Sequence, residues 1–180
     1  NVTEPDPRLY KKCCDYIDHL DYFFESEYQS DRHLCREIVN KLEKEPEELC
    51  NEETYNAIAE CLDSLIIASD KMNVRWSAYL LDVQDIVKLL WKASLVGAGR
   101  GSGVGFILNY ILDITQINPL RERTRTYPWR FLNPERASPL DIDVDIEGSK
   151  RDEVIKLFRE KYGTDRISKV MTLSTEKGRS

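Results

Sequence analysis

The chain has 180 residues, enough for one domain that buries a sizeable core, and its net charge of −6 argues against a protein that coats nucleic acid indiscriminately. Five cysteines, an odd count with no C-x-x-C pair, argue against both a disulfide framework and a zinc site; they predict buried free thiols in a reducing, cytoplasmic setting. No stretch is apolar for long enough to span a bilayer, no signal peptide is visible, and the two histidines fall in no ligand or general-base pattern.

Apolar residues mark the elements in chain order. Leu9, Cys13, Ile17, Leu20 and Phe24 recur at helical spacing over 8–24, and a second helix near 31–45 should stop at Pro46. Tyr55, Ile58, Ala59, Leu62, Leu65 and Ile66 mark a third, and Trp76, Tyr79, Leu80, Val83, Val87 and Leu90 a fourth. Such stripes are core or helix–helix packing and need no functional reading. Leu95–Val96 reads as a short strand, and Ser149 as the cap of a helix over 150–162 that Gly163 ends. Residues 166–173 read as a further strand. The halves differ in charge: residues 1–90 hold 20 acidic and 10 basic side chains, residues 91–180 hold 12 and 16. The basic second half suits a nucleotide and template.

Two motifs in that half carry chemistry. Gly97-Ala98-Gly99-Arg100-Gly101-Ser102-Gly103 precedes Val104, Ile107, Leu108 and Ile111 at helical spacing. A glycine turn feeding a helix offers backbone N–H groups to a phosphate. No Lys-Ser or Lys-Thr closes it, so it is not a P-loop. The second motif is Asp141-Ile142-Asp143-Val144-Asp145. In a strand the three aspartates share one face, while Ile142, Val144 and Ile146 point into a core. Like charges so placed repel unless a cation sits between them, and magnesium prefers such oxygens. Arg130 and Arg136, just upstream, suit phosphates. An EF-hand loop would need glycine and glutamate where Ile146 and Asp152 stand. A nucleotide-sugar transferase also uses an Asp-x-Asp pair, but that alternative leaves the glycine turn and the arginines unexplained. A third alternative makes the helical first part a non-catalytic partner-binding module.

These residues, together with Asp113-Ile114-Thr115, Asn118-Pro119-Leu120, the run from Arg130 to Arg136, Lys150 to Ile155, Lys161-Tyr162-Gly163 and Thr172 to Thr175, closely resemble the alpha subunit of bacterial DNA polymerase III, the C-family replicative polymerases. The likeness runs from about Trp76 to the end; residues 1–75 are similar only loosely. The resemblance implies an α+β fold: a helical region over 1–75 with no assigned role, then the N-terminal part of a polymerase-beta-type nucleotidyltransferase palm over 76–180, incomplete, with a mixed sheet and helices. It implies that Asp141 and Asp143 hold two Mg2+ ions, that Gly101 and Ser102 contact the incoming triphosphate, and that Arg130 and Arg136 face its phosphates. Asp145 shares the strand face but is not a principal ligand in the family. The implied reaction is template-directed addition of deoxynucleotides to a primer 3′-hydroxyl. The implied partners are primed DNA, deoxynucleoside triphosphates and, through regions outside this sequence, other replisome subunits.

The sequence departs from the family in three ways. Leu140-Asp141-Ile142-Asp143 replaces the usual Pro-Asp-Phe-Asp and keeps both carboxylates. A basic stretch from Arg121 to Trp129 replaces a shorter, partly acidic one. Family members are also several times longer, so the sequence is expected to be a fragment that does not polymerise DNA by itself.

Overall fold

The computed structural model describes residues 5–121, 126–136 and 139–169. Asp6 starts α1 (Pro7–Tyr16): its carboxylate accepts from the Arg8 N–H at 2.8 Å, and Pro7 occupies the first turn, where a missing N–H costs nothing. The helix expected over 8–24 is two helices. His19 adopts a left-handed φ of 68°, and α2 (Leu20–Phe24) begins after it. The break also turns Phe23 inward, where Phe24 was expected.

The next three helices follow the apolar stripes. Helix α3 (Gln29–Lys44) ends before Pro46, which lacks the N–H needed to continue it and opens the single turn α4 (Pro46–Leu49). Asn51 caps α5 (Glu52–Met72) by accepting from the Thr54 N–H at 2.9 Å, and Asn73 closes it at a left-handed φ of 51°. Helix α6 (Trp76–Leu90) follows within a few residues. Leu34, Cys35, Ile38, Val39 and Leu42 bury one side of α3, which packs against α1, α2 and α6.

Buried Asp31 stitches the seam between α3 and α6. Its carboxylate accepts from the hydroxyls of Ser26 (2.7 Å) and Ser77, and Arg75 lies 3.4 Å away. A buried carboxylate is tolerated because these donors replace its lost hydration.

One apolar core runs from Tyr10 to Val154 and includes Phe106, Ile107, Leu108, Ile111 and Leu132, so residues on both sides of position 75 share it. Ion pairs follow the same route. Lys41 bridges Glu45 (2.8 Å) and Asp113 (2.6 Å), and Glu48 meets Asn118 at 2.9 Å and Arg121 at 3.0 Å. The acidic helices are thereby joined to the segment that follows the glycine turn.

The expected mixed sheet is absent among the described residues. Their regular structure is helical, and one isolated antiparallel bridge, Val96 to Ile146, is the only β pairing there. The alternation along 140–146 is nevertheless present: Asp141, Asp143 and Asp145 are exposed, while Leu140, Ile142, Val144 and Ile146 pack toward the core. A period of two therefore reports an extended segment with one covered face. It does not report a ladder, which also needs neighbours on the hydrogen-bonding edges. The strand expected over 166–173 is likewise not observed where it is described: residues Thr164–Arg166 form a 3-10 turn and 167–169 are irregular, while 170–173 lie outside the described residues. Helix α7 (Ile107–Ile111) and α8 (Arg151–Tyr162) complete the described elements, and Ser149 sits in a 3-10 turn before α8 without capping it.

Candidate nucleotide and metal site

The glycine turn and the aspartate segment lie against each other. The Gly97 N–H donates to the Asp145 carbonyl at 2.9 Å, and the Glu147 N–H donates to Ser94 Oγ at 3.0 Å. A side-chain carbon on Gly97 would stand 3.0 Å from Asp145 Cβ, so a larger residue would have to push the aspartate segment away. Gly101, at a left-handed φ of 67°, faces Asp143: its missing Cβ would stand 3.6 Å from Asp143 Oδ2. The turn is thus folded around the carboxylates by its glycines.

Ser102 is exposed at the start of a 3-10 turn (Ser102–Gly105), with the five-residue α7 behind it. The long helix implied by the apolar spacing does not form. Gly103 and Gly105 disfavour α-helix, the Asn109 side chain occupies the Gly103 carbonyl at 2.8 Å, and Asp113 takes a left-handed φ of 55° two residues past α7. Phosphate binding here would rest on the turn's own N–H groups and the Ser102 hydroxyl, with little help from a helix dipole.

Arg130 ends a second 3-10 turn (Pro128–Arg130) that packs directly on Ser102–Gly105. Phe131, the next residue, rests on Phe106 with ring centroids 4.9 Å apart, and its ring edge would lie 3.7 Å from a side-chain carbon added at Gly103. Arg136 closes the Asn133–Arg136 turn, and Lys71 of α5 holds that turn through the carbonyls of Pro134 (3.3 Å) and Glu135 (3.0 Å). Both arginines are exposed and have no charged partner among the described residues. The structure brings Gly101 against Asp143 and packs the Arg130 turn on Ser102–Gly105. It shows no contact between Arg136 and the carboxylates among the described residues.

Four residues near the site were given no site role in the sequence reading. Arg100 is an internal counter-ion: its Nη1 lies 3.1 Å from Asp145 and its Nε 3.7 Å from Asp143, and these bonds push its guanidinium further above its already high pKa. Its position between two glycines of the turn was the available signal. Tyr79 of α6 lies beside Asp141; burial first, and then the Asp141 charge, raise its phenol pKa. Asn109 is buried and holds the turn from behind, and Lys71 anchors the Arg136 turn. Nothing in their spacing distinguished these three from core or surface residues.

The aspartates are hard oxygen donors on one open face, which suits a magnesium ion that keeps several waters and leans on substrate phosphates. No group of three or more acidic, histidine or cysteine side chains converges enough to enclose a metal among the described residues. The donor chemistry therefore fits a shared, substrate-completed site and does not fit a closed chelate.

Comparison with known proteins decides the lineage. Residues 32–180 match the family described as the bacterial DNA polymerase III alpha NTPase domain. The chain belongs to the bacterial DNA polymerase III alpha family. It is 35% identical over 182 aligned residues to the protein named Probable DNA polymerase YorL of Bacillus subtilis, covering 96% of this chain and 14% of that protein. It is 43% identical over 120 residues to the DNA polymerase III subunit alpha of Saccharopolyspora erythraea, covering 64% of this chain and 10% of that one. The Campylobacter jejuni DNA polymerase III subunit alpha is 32% identical over 182 residues, again 96% and 14%. The chain thus spans about a seventh or less of the length of these relatives. The match from residue 32 takes in most of the helical first part, and neither the sugar-transferase nor the partner-module reading is favoured by it.

Proposed function

We propose that this chain is the nucleotide-handling part of a DNA-directed DNA polymerase that extends a primer 3′-hydroxyl with deoxynucleoside triphosphates. The observation that carries this reading is the apposition of the Gly97–Gly103 turn and the Asp141–Asp145 segment, in a member of a polymerase family. Residues 76–180 form the N-terminal part of the palm, with residues 1–75 as helical support sharing its core. Primed DNA is the partner, and the enzyme works in the cytoplasm with other replisome subunits.

Each residue has a role in this reading. Asp141 and Asp143 would hold two Mg2+ ions. Those ions would supply Lewis acidity, lowering the pKa of the primer hydroxyl and offsetting charge on the triphosphate and departing pyrophosphate. Ser102 and the Gly101 backbone seat the triphosphate, while Arg130 and Arg136 meet its phosphates with charge-assisted hydrogen bonds. Arg100 offsets the charge of Asp143 and Asp145. No covalent enzyme intermediate is needed. The test is extension of a primed template by the intact protein with one nucleotide at a time. Incorporation that follows the template base is expected. Untemplated transfer from nucleotide diphosphate sugars, without templated extension, would contradict the reading.

A further inference from the structure

We infer that Arg100, tethered by Asp145, competes with divalent metal at Asp143, so that the aspartate strip takes up Mg2+ poorly until a nucleotide brings opposing charge; the inference rests on the polymerase reading above. Arg100 Nη1 lies 3.1 Å from Asp145 Oδ1, and its Nε lies 3.7 Å from Asp143 Oδ2. The shorter contact is the tether. The longer one sets the guanidinium beside a carboxylate assigned to metal, at the same Oδ2 that Gly101 faces. Asp141, by contrast, has no basic partner among the described residues. The strip therefore carries its own cation at one end only.

Backbone on both sides sets where Arg100 sits. Gly99, at φ 140°, and Gly101, at φ 67°, adopt conformations that a side chain disfavours. A side-chain carbon on Gly99 would also stand 3.0 Å from Val104 and 3.1 Å from Thr115. The Gly97 N–H donates to the Asp145 carbonyl at 2.9 Å, and the Gln116 N–H donates to the Ala98 carbonyl at 2.8 Å. The turn is thus pinned to the strip on one side and to the segment after α7 on the other. Arg100 reaches the carboxylates from a root that is already in place.

Charge decides what this contact does. A guanidinium stays protonated, so Arg100 cannot step aside by losing a proton. All three side chains are more than half exposed, which screens the repulsion of a divalent ion without abolishing it. Removing one positive charge about 5 Å from such an ion should tighten its binding about fivefold at low salt. A triphosphate seated on Gly101 and Ser102 would bring negative charge to the residues next to Arg100. The arginine would then have an anion to pair with in place of Asp143, so metal and nucleotide favour each other's binding.

The test is Mn2+ binding to the intact protein, followed by electron paramagnetic resonance without nucleotide or DNA. Only the binding lost in Asp143→Asn is counted, which sets aside any other metal site. Arg100→Gln and Arg100→Ala should each bind Mn2+ about fivefold more tightly than wild type, and the gain should shrink at high salt. Arg100→Lys keeps the charge and should stay within about twofold of wild type. Thermal unfolding of these exposed-site variants should match wild type. Unchanged or weaker Mn2+ binding in Arg100→Gln and Arg100→Ala, as for an arginine that only braces the strip, overturns the inference. So does an equal gain in Arg100→Lys. If Asp143→Asn abolishes Mn2+ binding and primer extension while the Arg100 variants bind as wild type, the competitor falls and the polymerase reading stands. If Asp143→Asn alters neither, that reading fails and takes the inference with it.

Discussion

Ser102 and Arg130 lie on two 3-10 turns that pack against each other, the first of them following Gly101, which faces Asp143. Ser102→Ala removes a hydroxyl from the proposed triphosphate seat, and Arg130→Ala removes a guanidinium with no charged partner among the described residues. Each should raise the apparent KM for nucleotide or lower turnover by about tenfold, as expected for a lost hydrogen bond to a charged group at about 1.5–3 kcal/mol. Unchanged steady-state parameters for both variants would remove the phosphate-site assignment. At this scale the sequence was informative where chemistry dictates residue type. The alternation of aspartates with Ile142 and Val144 foretold one exposed acidic face, which the structure has. Arg100, flanked by two glycines of the turn, and Tyr79, read as part of an apolar stripe, were given no site role because that role comes from the carboxylates folding places beside them.

Among elements, the joint between α3 and α6 depends on buried Asp31, whose partners Ser26, Ser77 and Arg75 come from three separate positions. Asp31→Ala strands those donors and should cost about 1–3 kcal/mol in urea unfolding, from the desolvation of groups left without a partner. A loss below about 0.5 kcal/mol, the range of an ordinary surface change, would show that the network does not hold the joint. The long helices were readable because each stripe persists over several turns: α5 and α6 follow their apolar spacing, and α3 ends where Pro46 requires. The failures came from short elements. His19 splits the first helix, the glycines reduce the expected phosphate helix to α7, and the extended segment from Asp141 to Ile146 finds one bridge, at Ile146, and no ladder among the described residues. Local pattern records which face is covered, whereas pairing is decided by distant chain.

For the molecule as a whole, a single core spanning residues 10–154 implies that the acidic helices and the glycine–aspartate region unfold together. Buried Cys13 gives that transition a pH dependence. Burial pushes its thiol from 9.0 to about 11, so the unfolded chain releases this proton first as pH rises. The stabilisation is full below the unfolded value and is lost as pH climbs through about 11. Denaturation midpoints across this window should fall with pH, and the slope should be shallower in Cys13→Ala; identical slopes would contradict the assignment. The mixed sheet was expected from the family resemblance, and among the described residues the extended aspartate strip finds no ladder partner to build one.

The central claim is that Asp141 and Asp143 carry the chemistry of nucleotide addition. It is tested most directly by primer extension with the intact protein bearing Asp141→Asn or Asp143→Asn, alongside primed-DNA binding by the same variants. Both exposed carboxylates can lose their charge without disturbing the core, so DNA binding should stay close to wild type while nucleotide addition disappears in each. Asp145→Asn should be milder. Near-normal extension by either Asp141→Asn or Asp143→Asn would contradict the account.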